Sequence, residues 1–252
     1  MGNSYFQFKQ FRIDQDRTAM KVTTDGCLLG AWAASVIGEN DVPVTSSSPA
    51  QNRILDIGAG TGLLSLMLAQ ASNYSIDAIE IDEQAAIQAD ENFANSKWSE
   101  RLSIIHSDVK TFAGEQAYQV IISNPPFYEN ELKSGNTPKD TAHHDEGLSL
   151  AALFYAIDQN LSDDGKLFLL LPVKREADLQ KLMNLYGFST DEKVLVKQTT
   201  AHSPFRIIIL ASRVQKSGEA YPAKVSEESI KDGNGGYTEW FSNLLEPYYL
   251  AL

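Results

Sequence analysis

Short apolar runs alternate with helical patterns along the chain from residue 53 onward. Five apolar runs are typical of buried strands: residues 53–58, 75–82, 102–108, 119–124 and 166–172. Four other segments have apolar residues at helical spacing: residues 62–71, 83–95, 149–160 and 174–186. Because strands that alternate with helices are joined by crossovers, this order predicts a parallel sheet covered by helices.

Two further apolar runs, residues 192–199 and 205–213, have only a short connection between them. Such a connection is too short for a crossover helix, so the two runs are predicted to form an antiparallel hairpin. The chain is therefore predicted to be an α/β protein with a Rossmann-like, seven-stranded, mostly parallel sheet whose last strand is antiparallel. Ligands on such sheets bind at the carboxyl ends of the strands.

The N-terminal residues form a separate unit in this scheme. Residues 23–37 begin with Thr and Asp, continue with an apolar run and predict a helix. Residues 39–52 are rich in Pro, Ser and Asn, a composition typical of a loop. We therefore divide the chain into an N-terminal segment of residues 1–38, a linker of residues 39–52 and a main domain of residues 53–252.

Composition limits the class of protein. The chain has 252 residues, 43% of them hydrophobic, which is enough to bury a substantial core. Its single cysteine, Cys27, permits neither an internal disulfide nor a cysteine-based zinc site. No run approaches the roughly 18 apolar residues of a membrane helix, and the first residues lack the apolar stretch of a signal peptide.

We expect a cytoplasmic protein with no metal and no membrane partner. The oligomeric state stays open, with a monomer preferred.

The net charge of −12 argues at first against a nucleic-acid partner, because such proteins usually carry a basic surface. The charge is unevenly distributed, however. Residues 75–164 contain 17 acidic and 5 basic residues, whereas residues 165–224 contain 10 basic and 5 acidic residues. The basic residues of the late hairpin could meet RNA phosphates, and an ordinary solvated face is an equally good interpretation. These residues are Lys193, Lys197, Arg206 and Arg213.

A glycine-rich sequence follows the first strand of the main domain: Asp56-Ile57-Gly58-Ala59-Gly60-Thr61-Gly62. Glycines here let the backbone turn sharply and leave the N–H groups of the next helix free to bind a ligand. A dinucleotide-binding loop would require glycine at position 63, which is Leu, and a P-loop would require a Lys-Ser/Thr pair. The motif instead resembles the S-adenosylmethionine-binding loop of class I methyltransferases. A plain strand-to-helix turn is the alternative.

Acidic residues end the next two strands. Glu80 lies 24 residues beyond Asp56, where a carboxylate can accept both ribose hydroxyl hydrogens of a nucleoside. Asp82, two residues later, is more simply a helix-capping acid. Asp108, followed by Val109, ends the third strand, and its carboxylate can accept a hydrogen bond from an adenine amino group. Three consecutive strand ends therefore supply a loop, a candidate ribose acid and a candidate adenine acid.

The fourth strand ends in the tetrapeptide Asn124-Pro125-Pro126-Phe127. The prolines stiffen the backbone, so the Asn124 side-chain oxygen and the Pro125 carbonyl can point at one position. Two converging acceptors can hold both N–H groups of a planar amino group, while Phe127 offers a face on which a base can stack. The tetrapeptide resembles the motif of methyltransferases that modify planar amino nitrogens. Asn124, Pro125 and Phe127 are therefore candidate catalytic residues, with Asn124 also next to the cofactor. A proline-rich loop is the alternative.

Three segments together resemble one family. Residues 8–32, the tetrapeptide and residues 237–252 resemble the bacterial tRNA(Val) (adenine-37-N6)-methyltransferase family, and the resemblance runs from end to end. It implies a class I methyltransferase fold, S-adenosylmethionine as the cofactor and tRNA as the partner. It also implies methylation of the amino nitrogen of adenine-37 in a valine tRNA.

The resemblance extends to positions in the N-terminal segment, which is expected to pack over the cofactor site. In the family, the stretch matching residues 20–25 lies over the amino-acid end of the cofactor. Lys21 is therefore expected near the cofactor carboxylate, and Thr24 or Asp25 near the adjacent loop. His143 is a departure, because the family pattern leads us to expect an arginine there, and a phosphate contact at that position is in doubt.

The tetrapeptide alone leaves the substrate open among adenine, guanine and protein glutamine. A guanine-N2 rRNA methyltransferase and a protein glutamine methyltransferase keep the same fold, and Phe127 favours a base over a glutamine. A non-catalytic, S-adenosylmethionine-dependent RNA-binding protein is the third interpretation. The intact Asn124 argues against it, because a protein that only binds has no need of this acceptor geometry.

Overall fold

The computed structural model describes residues 3–18, 20–39, 52–126, 148–214 and 222–252. The chain begins with a small antiparallel pair, β1 (Tyr5–Gln7) and β2 (Arg12–Asp14), followed by the helix α1 (Thr24–Glu39). Most of the predicted linker, residues 40–51, lies outside the described residues.

Eight strands of the described ranges form the central sheet: β3 (Arg53–Ile57), β4 (Ser75–Glu80), β5 (Leu102–His106), β6 (Tyr118–Ser123), β7 (Leu161–Pro172), β8 (Phe188–Thr199), β9 (Pro204–Arg213) and β10 (Lys224–Lys231). Their order across the sheet is β10-β8-β9-β7-β6-β3-β4-β5. Strand β9 is antiparallel to both of its neighbours, and all other pairings are parallel. The predicted α/β class with a mostly parallel sheet is confirmed.

Among the residues that the structure describes after α1, five helices accompany the sheet: α2 (Leu63–Ala71), α3 (Glu83–Ala94), α4 (Leu150–Asn160), α5 (Glu176–Tyr186) and α6 (Glu239–Leu245). Two short 3-10 helices, Ser99–Arg101 and Val173–Arg175, precede β5 and α5. Helices α2 to α5 lie where the apolar spacing predicted them, within two residues at either end.

The sheet has one strand more than the seven predicted. Strand β10 pairs in parallel with β8, with Lys224 opposite Glu192 and Lys231 opposite Thr199. It is an edge strand in which Ile230 is buried and Val225 is 53% exposed. The alternation of Ser, Glu and Lys in β10 carries too little apolar signal for a strand prediction, because an edge strand covers little of the core.

Two hydrophobic clusters cover the two faces of the sheet. Helices α1, α2, α3 and α6 pack in one cluster, whereas α4 and α5 pack in the other. Side chains of β7 and β9 alternate between the clusters, since Phe168 and Ile208 belong to the first while Leu169 and Ile209 belong to the second. Because both faces of these strands are buried, their sequences are nearly continuous apolar runs.

The N-terminal helix α1 contributes fully buried residues, such as Leu28 and Leu29, to the first cluster. The division of the chain at residues 39–52 into two units remains a prediction. Within the described ranges, no helix combines the length and the apolar character that crossing a membrane demands.

Candidate active site

Four neighbouring strands bring the predicted site residues to one edge of the sheet. Strands β5, β4, β3 and β6 lie side by side and run in the same direction. A hydrogen bond of 2.9 Å from the Gly58 N–H to the Ile79 carbonyl joins two of their carboxyl ends. The groups collected at this edge are Asp108 after β5, Glu80 in β4, the glycine-rich loop after β3 and Asn124 after β6.

The glycine-rich loop between β3 and α2 turns through left-handed backbone conformations. Gly58, Gly60 and Gly62 have φ angles of 75°, 55° and 81°. At Gly58 and Gly60 an added Cβ would meet nothing within 4 Å, so the space over this part of the loop is open. At Gly62 it would lie 2.4 Å from Cε1 of Phe93, so glycine is required there by both conformation and space. The loop therefore leaves an open cradle over its first half and packs against α3 with its second half.

Asp56 lies beneath the loop. Its side chain is fully buried, and Oδ2 accepts hydrogen bonds from the N–H and the hydroxyl of Ser65 at 3.1 and 2.7 Å. Oδ1 has no hydrogen-bond partner among the described residues. Burial raises the pKa of Asp56 from 3.8 to about 7; the Ser65 hydrogen bonds oppose this rise, and the charge of Glu80 adds to it. The fully buried Asp56 side chain supports the loop and α2, and its contact with a cofactor stays a prediction.

Glu80 connects β4 to the loop. Its Oε2 accepts a hydrogen bond from the Gly60 N–H at 2.8 Å, and Oε1 accepts from the N–H groups of Ile81 and Asp82, each at 2.9 Å. A carboxylate offers about four acceptor positions, so roughly one remains for a ligand. One acceptor position is enough for one ribose hydroxyl. Glu80 is predicted to accept from both ribose hydroxyls. For that, the second hydroxyl would have to share an acceptor position with one of the three backbone N–H groups.

The two residues after Glu80 differ in their surroundings. Asp82 Oδ1 accepts a hydrogen bond from the Ala85 N–H at 2.8 Å, so Asp82 caps α3 as the simpler interpretation predicted. Ile81 is 63% exposed and lies just beyond β4, which ends at Glu80 and not at residue 82 as predicted. Ile81 is a candidate site residue that was not predicted from the sequence. Its signal was an apolar residue directly after the candidate ribose acid.

Asp108 is half-buried and has a partner in its own loop. Its Oδ1 accepts a hydrogen bond from the Lys110 N–H at 2.9 Å, and Oδ2 lies 3.2 Å from the Lys110 ammonium. Val109 is buried in the second hydrophobic cluster. An adenine amino group would have to use the acceptor positions that Lys110 leaves open, so the role of Asp108 stays a prediction.

Asn124 follows β6 and is half-buried, and the next residue, Pro125, is buried. The first turn of α1 lies beside it, since a Cβ at Gly26 would be 3.5 Å from Asn124 Nδ2. The same Cβ would be 3.4 Å from Cδ2 of Leu63, the first residue of α2. The N-terminal helix therefore adjoins both the candidate catalytic amide and the helix after the glycine-rich loop. Phe127 and His143 lie outside the described residues.

Asn92 of α3 ties the N-terminal segment to the glycine-rich loop. Its buried side chain donates hydrogen bonds of 2.9 Å to the carbonyls of Asp14 and Thr61 and accepts one from the Asp14 N–H. Thr61 belongs to the loop, so one asparagine joins β2 to the loop. Asn92 was not predicted as a site residue, because an asparagine in a polar helix gives no signal of the partners it will meet.

Lys21 and Thr24 are exposed at the start of α1. The Lys21 ammonium donates a hydrogen bond to the Gln15 carbonyl in its own segment. Their contacts with a cofactor stay predictions. Asp25, between Thr24 and Gly26, is half-buried and forms an ion pair of 2.8 Å with Arg206 of β9.

The basic residues of the late hairpin are each paired with a carboxylate. The pairs are Lys193 with Glu176 at 2.7 Å, Lys197 with Glu227 at 2.5 Å, Arg206 with Asp25 at 2.8 Å and Arg213 with Asp158 at 2.8 Å. An RNA phosphate would have to compete with an internal partner at each of them. In the described part of the chain, no group of three or more His, Cys, Asp or Glu residues could hold a metal ion.

The chain is similar to known methyltransferases along its whole length. The methyltransferase small domain family matches residues 42–185. The tRNA1(Val) (adenine(37)-N6)-methyltransferase of Christiangramia forsetii is 39% identical over 257 residues, with 100% of both chains covered. The protein of that name from Cytophaga hutchinsonii is 37% identical, with 100% of both chains covered. The one from Shewanella halifaxensis is also 37% identical, with 98% of this chain and 99% of the relative covered.

Solved structures agree in fold. A protein of Agrobacterium tumefaciens described as a predicted O-methyltransferase has a TM-score of 0.62 at 17% identity, covering 90% of this chain and 99% of its own. The ribosomal protein L11 methylase of Lactobacillus delbrueckii has a TM-score of 0.53 at 15% identity, covering 81% and 84%. The predicted class I methyltransferase fold is thus confirmed. With relatives this similar from end to end, the chain belongs to the tRNA1(Val) (adenine(37)-N6)-methyltransferase family.

Proposed function

We propose that this chain transfers the methyl group of S-adenosylmethionine to the exocyclic amino nitrogen, N6, of adenine-37 in a valine tRNA. The observation that carries the proposal is the position of Asn124, which follows β6 directly beside β3 and its open glycine-rich loop. An open cradle and the candidate acceptors Asn124 and Pro125 thus share one edge of the sheet. The choice of base and of tRNA rests on the relatives, whose names state both.

The residues at this edge fit a nucleoside cofactor. When bound, S-adenosylmethionine supplies a methyl group activated by its sulfonium. Gly58 and Gly60 leave room for it, since a Cβ at either position would meet no atom within 4 Å. Glu80 keeps an acceptor position for a ribose hydroxyl, and the exposed Ile81 beside it offers apolar surface to a flat adenine ring. Asp108 would accept from the adenine amino group.

Asn124 and Pro125 would hold the target amino group. The adenine amino nitrogen is a weak nucleophile, because its lone pair is delocalised into the ring. Hydrogen bonds from its two N–H groups to the Asn124 side-chain oxygen and the Pro125 carbonyl would favour rehybridisation and orient the nitrogen for in-line displacement. Orientation of this kind accounts for up to roughly 7–11 kcal/mol of a barrier. The proton can leave after methyl transfer, so the site needs no strong base.

A base in an anticodon loop suits such a site. An enzyme that acts on a base must take it out of its stack, and an unpaired nucleotide costs less to extrude than a paired one. Phe127, next to the two acceptors in sequence, would stack on the extruded base.

The direct test is methyl transfer by the purified protein. It would be incubated with labelled S-adenosylmethionine and, in separate reactions, with valine tRNA, the same tRNA carrying guanine at position 37, ribosomal RNA and bacterial protein extract. Nucleoside analysis should find N6-methyladenosine in the unmodified valine tRNA and far less label in the guanine-37 tRNA. A methylguanine product, or label confined to protein, would contradict the proposal and favour one of the other substrates.

A further inference from the structure

Asp25 joins three parts of the molecule at the start of α1. Its Oδ1 accepts a hydrogen bond of 3.1 Å from the Gly26 N–H, and its Oδ2 accepts one of 2.8 Å from Nε of Arg206. Gly26 in turn adjoins Asn124, whose Nδ2 would lie 3.5 Å from a Cβ at Gly26. One carboxylate therefore connects β9 to the first turn of α1, which lies against the candidate catalytic amide.

Arg206 lies at the catalytic edge of the sheet because β9 is reversed. Its partners in the ladder are Pro172, the last residue of β7, and Val196 of β8. The start of an antiparallel strand lies beside the carboxyl ends of its parallel neighbours. The Asp25 and Arg206 side chains are only 16% and 26% exposed, so water screens this ion pair less than a surface pair.

The contact at Gly26 bears on the orientation of Asn124. The amide nitrogen, and not the amide oxygen, is the atom of Asn124 nearest to that position. If Nδ2 faces α1, then Oδ1, the acceptor, faces the other way. The terminal torsion of an asparagine is broad, so the residues packed next to the amide decide which orientation the amide keeps. Gly26 is the residue of α1 next to Nδ2, since a Cβ built on it would lie 3.5 Å away. Its N–H donates to Thr23 Oγ1 at 3.2 Å and to Asp25 Oδ1 at 3.1 Å, so Thr23 and Asp25 together hold Gly26 in place.

We propose that Asp25 and Arg206 are a positioning pair: their ion pair fixes the first turn of α1 against Asn124 and so keeps the Asn124 oxygen directed at the substrate amino group. Neither residue is a catalytic residue, since each acts through Gly26 and Asn124. The expected effect of this pair on methyl transfer rests on the proposed function. Its expected effect on the orientation of the Asn124 amide rests on the structure alone.

The kinetic test compares Asp25→Asn, Arg206→Gln and the double variant with the wild type. Misplacement of a reacting group by about 1 Å costs roughly 10²-fold in rate, so kcat should fall about tenfold to 10²-fold in each single variant. The KM for tRNA and the Kd for S-adenosylmethionine should change much less. The double variant should be no slower than the slower single variant, because both remove one interaction. Arg206→Lys should recover part of the lost kcat.

A matched control lies on the same strand. Arg213, at the other end of β9, pairs with Asp158 at the same distance of 2.8 Å, with exposed fractions of 21% and 31%. Arg213→Gln removes an equivalent ion pair far from Asn124 along the strand. Arg213 also donates hydrogen bonds to the Asp158 and Leu161 carbonyls, so the thermal unfolding midpoint of Arg213→Gln should fall at least as much as that of Arg206→Gln. Its kcat at saturating tRNA should fall much less than that of Arg206→Gln. Equal losses of kcat in the two variants would overturn the inference.

A different outcome would identify Arg206 as an RNA contact. In that case Arg206→Gln would raise the KM for tRNA and reduce its salt dependence, whereas Asp25→Asn would bind tRNA at least as well as the wild type. That pattern would also overturn the positioning role.

A spectroscopic readout separates this inference from the proposed function. With ¹⁵N-labelled asparagine, the Asn124 side-chain amide signals can be assigned by their loss in Asn124→Ala. They should shift or broaden in Asp25→Asn and Arg206→Gln but not in Arg213→Gln, whether or not the protein methylates tRNA. Unchanged Asn124 signals would overturn the inference even if tRNA methylation is found. An inactive wild type with shifted signals would overturn the proposed function alone.

Discussion

The two halves of the candidate site are held together by contacts of very different range. In the cofactor half, around β3, β4 and β5, Glu80 accepts hydrogen bonds from residues 1, 2 and 20 positions away. The Asp56 contact with Ser65 spans 9 positions, and the Asp108 contact with Lys110 spans 2. In the methyl-transfer half, around Asn124, the ion pair that supports α1 joins residues 181 positions apart.

This difference separates a locally assembled half from one assembled by the fold. The cofactor half is built mainly from backbone N–H groups that meet carboxylates of nearby strands, so most of its geometry forms with the βαβ unit itself. The Asn92 contact with Asp14, 78 positions away, adds β2 to this half. The methyl-transfer half needs α1, β6 and β9 in their final places before the surroundings of Asn124 are complete. Variants in the two halves should therefore differ in whether they lose binding or turnover.

The largest effect is expected for Asn124→Ala in the methyl-transfer half. Loss of one oriented hydrogen-bonding group at a reacting centre costs about 10²–10³ in turnover. Single-turnover methylation of valine tRNA should show this loss, while calorimetric titration with S-adenosylmethionine should give the wild-type affinity. If the affinity for S-adenosylmethionine falls together with the rate, Asn124 belongs to the cofactor half, and the two halves of the site do not separate binding from turnover.

The next largest effect is expected for Gly62→Ala in the cofactor half. The new Cβ would lie 2.4 Å from the Phe93 ring, at a φ of 81° that alanine rarely adopts. Overpacking of this kind costs about 1–3 kcal/mol of unfolding free energy. Urea unfolding would measure the loss, with Gly58→Ala as the control. Gly58 has a φ of 75° but no atom within 4 Å of its Cβ, so its loss should be smaller, and equal losses would exclude the contact with Phe93 as the cause.

A smaller effect is expected for Glu80→Ala, which removes an acceptor from the cradle. A hydrogen bond to a charged group contributes about 1.5–3 kcal/mol before relaxation, which corresponds to roughly tenfold or more in affinity. Calorimetry should show this weaker binding of S-adenosylmethionine. At saturating cofactor the turnover should recover to near the wild-type value. An unchanged dissociation constant would remove Glu80 from the site.

The smallest effect on activity is expected for Asp56→Asn, which acts through stability and its pH dependence. The pKa of Asp56 is raised in the folded chain from 3.8 to about 7, so the folded state binds the proton more tightly than the unfolded state. The contribution of this proton to stability is complete below pH 3.8 and is lost as the pH rises to about 7. Thermal unfolding of the wild type between pH 4 and pH 8 should show this loss. Asn does not titrate, so the unfolding midpoint of Asp56→Asn should rise relative to that of the wild type as the pH increases over the same range. A difference in midpoint that does not depend on pH would contradict the raised pKa.

The chain order of strands and helices was predictable because each central strand is buried on both faces. Runs such as residues 166–172 and 205–213 are continuous apolar sequences and carry a strong signal. Strand β10 has no such signal, because its ladder to β8 depends on a neighbour already in place. The short pair β1 and β2 and the helix α6 were also not predicted, since each is only a few residues long and packs against elements far away in sequence.

The sequence by itself determined which chemical groups stand at the four strand ends, because glycines, carboxylates and the Asn-Pro-Pro run are local features of strand-to-helix connections. Only the tertiary structure decided what each group faces. Asp56 and Glu80 are both acids at strand ends, yet alternation and packing bury the first beneath α2 and leave the second at the open loop. The partners of Asn92, Asp25 and Arg206 were likewise invisible in the sequence, because each lies on an element brought near by folding. A local pattern specifies a residue's own conformation, whereas its contacts depend on the packing of the whole sheet.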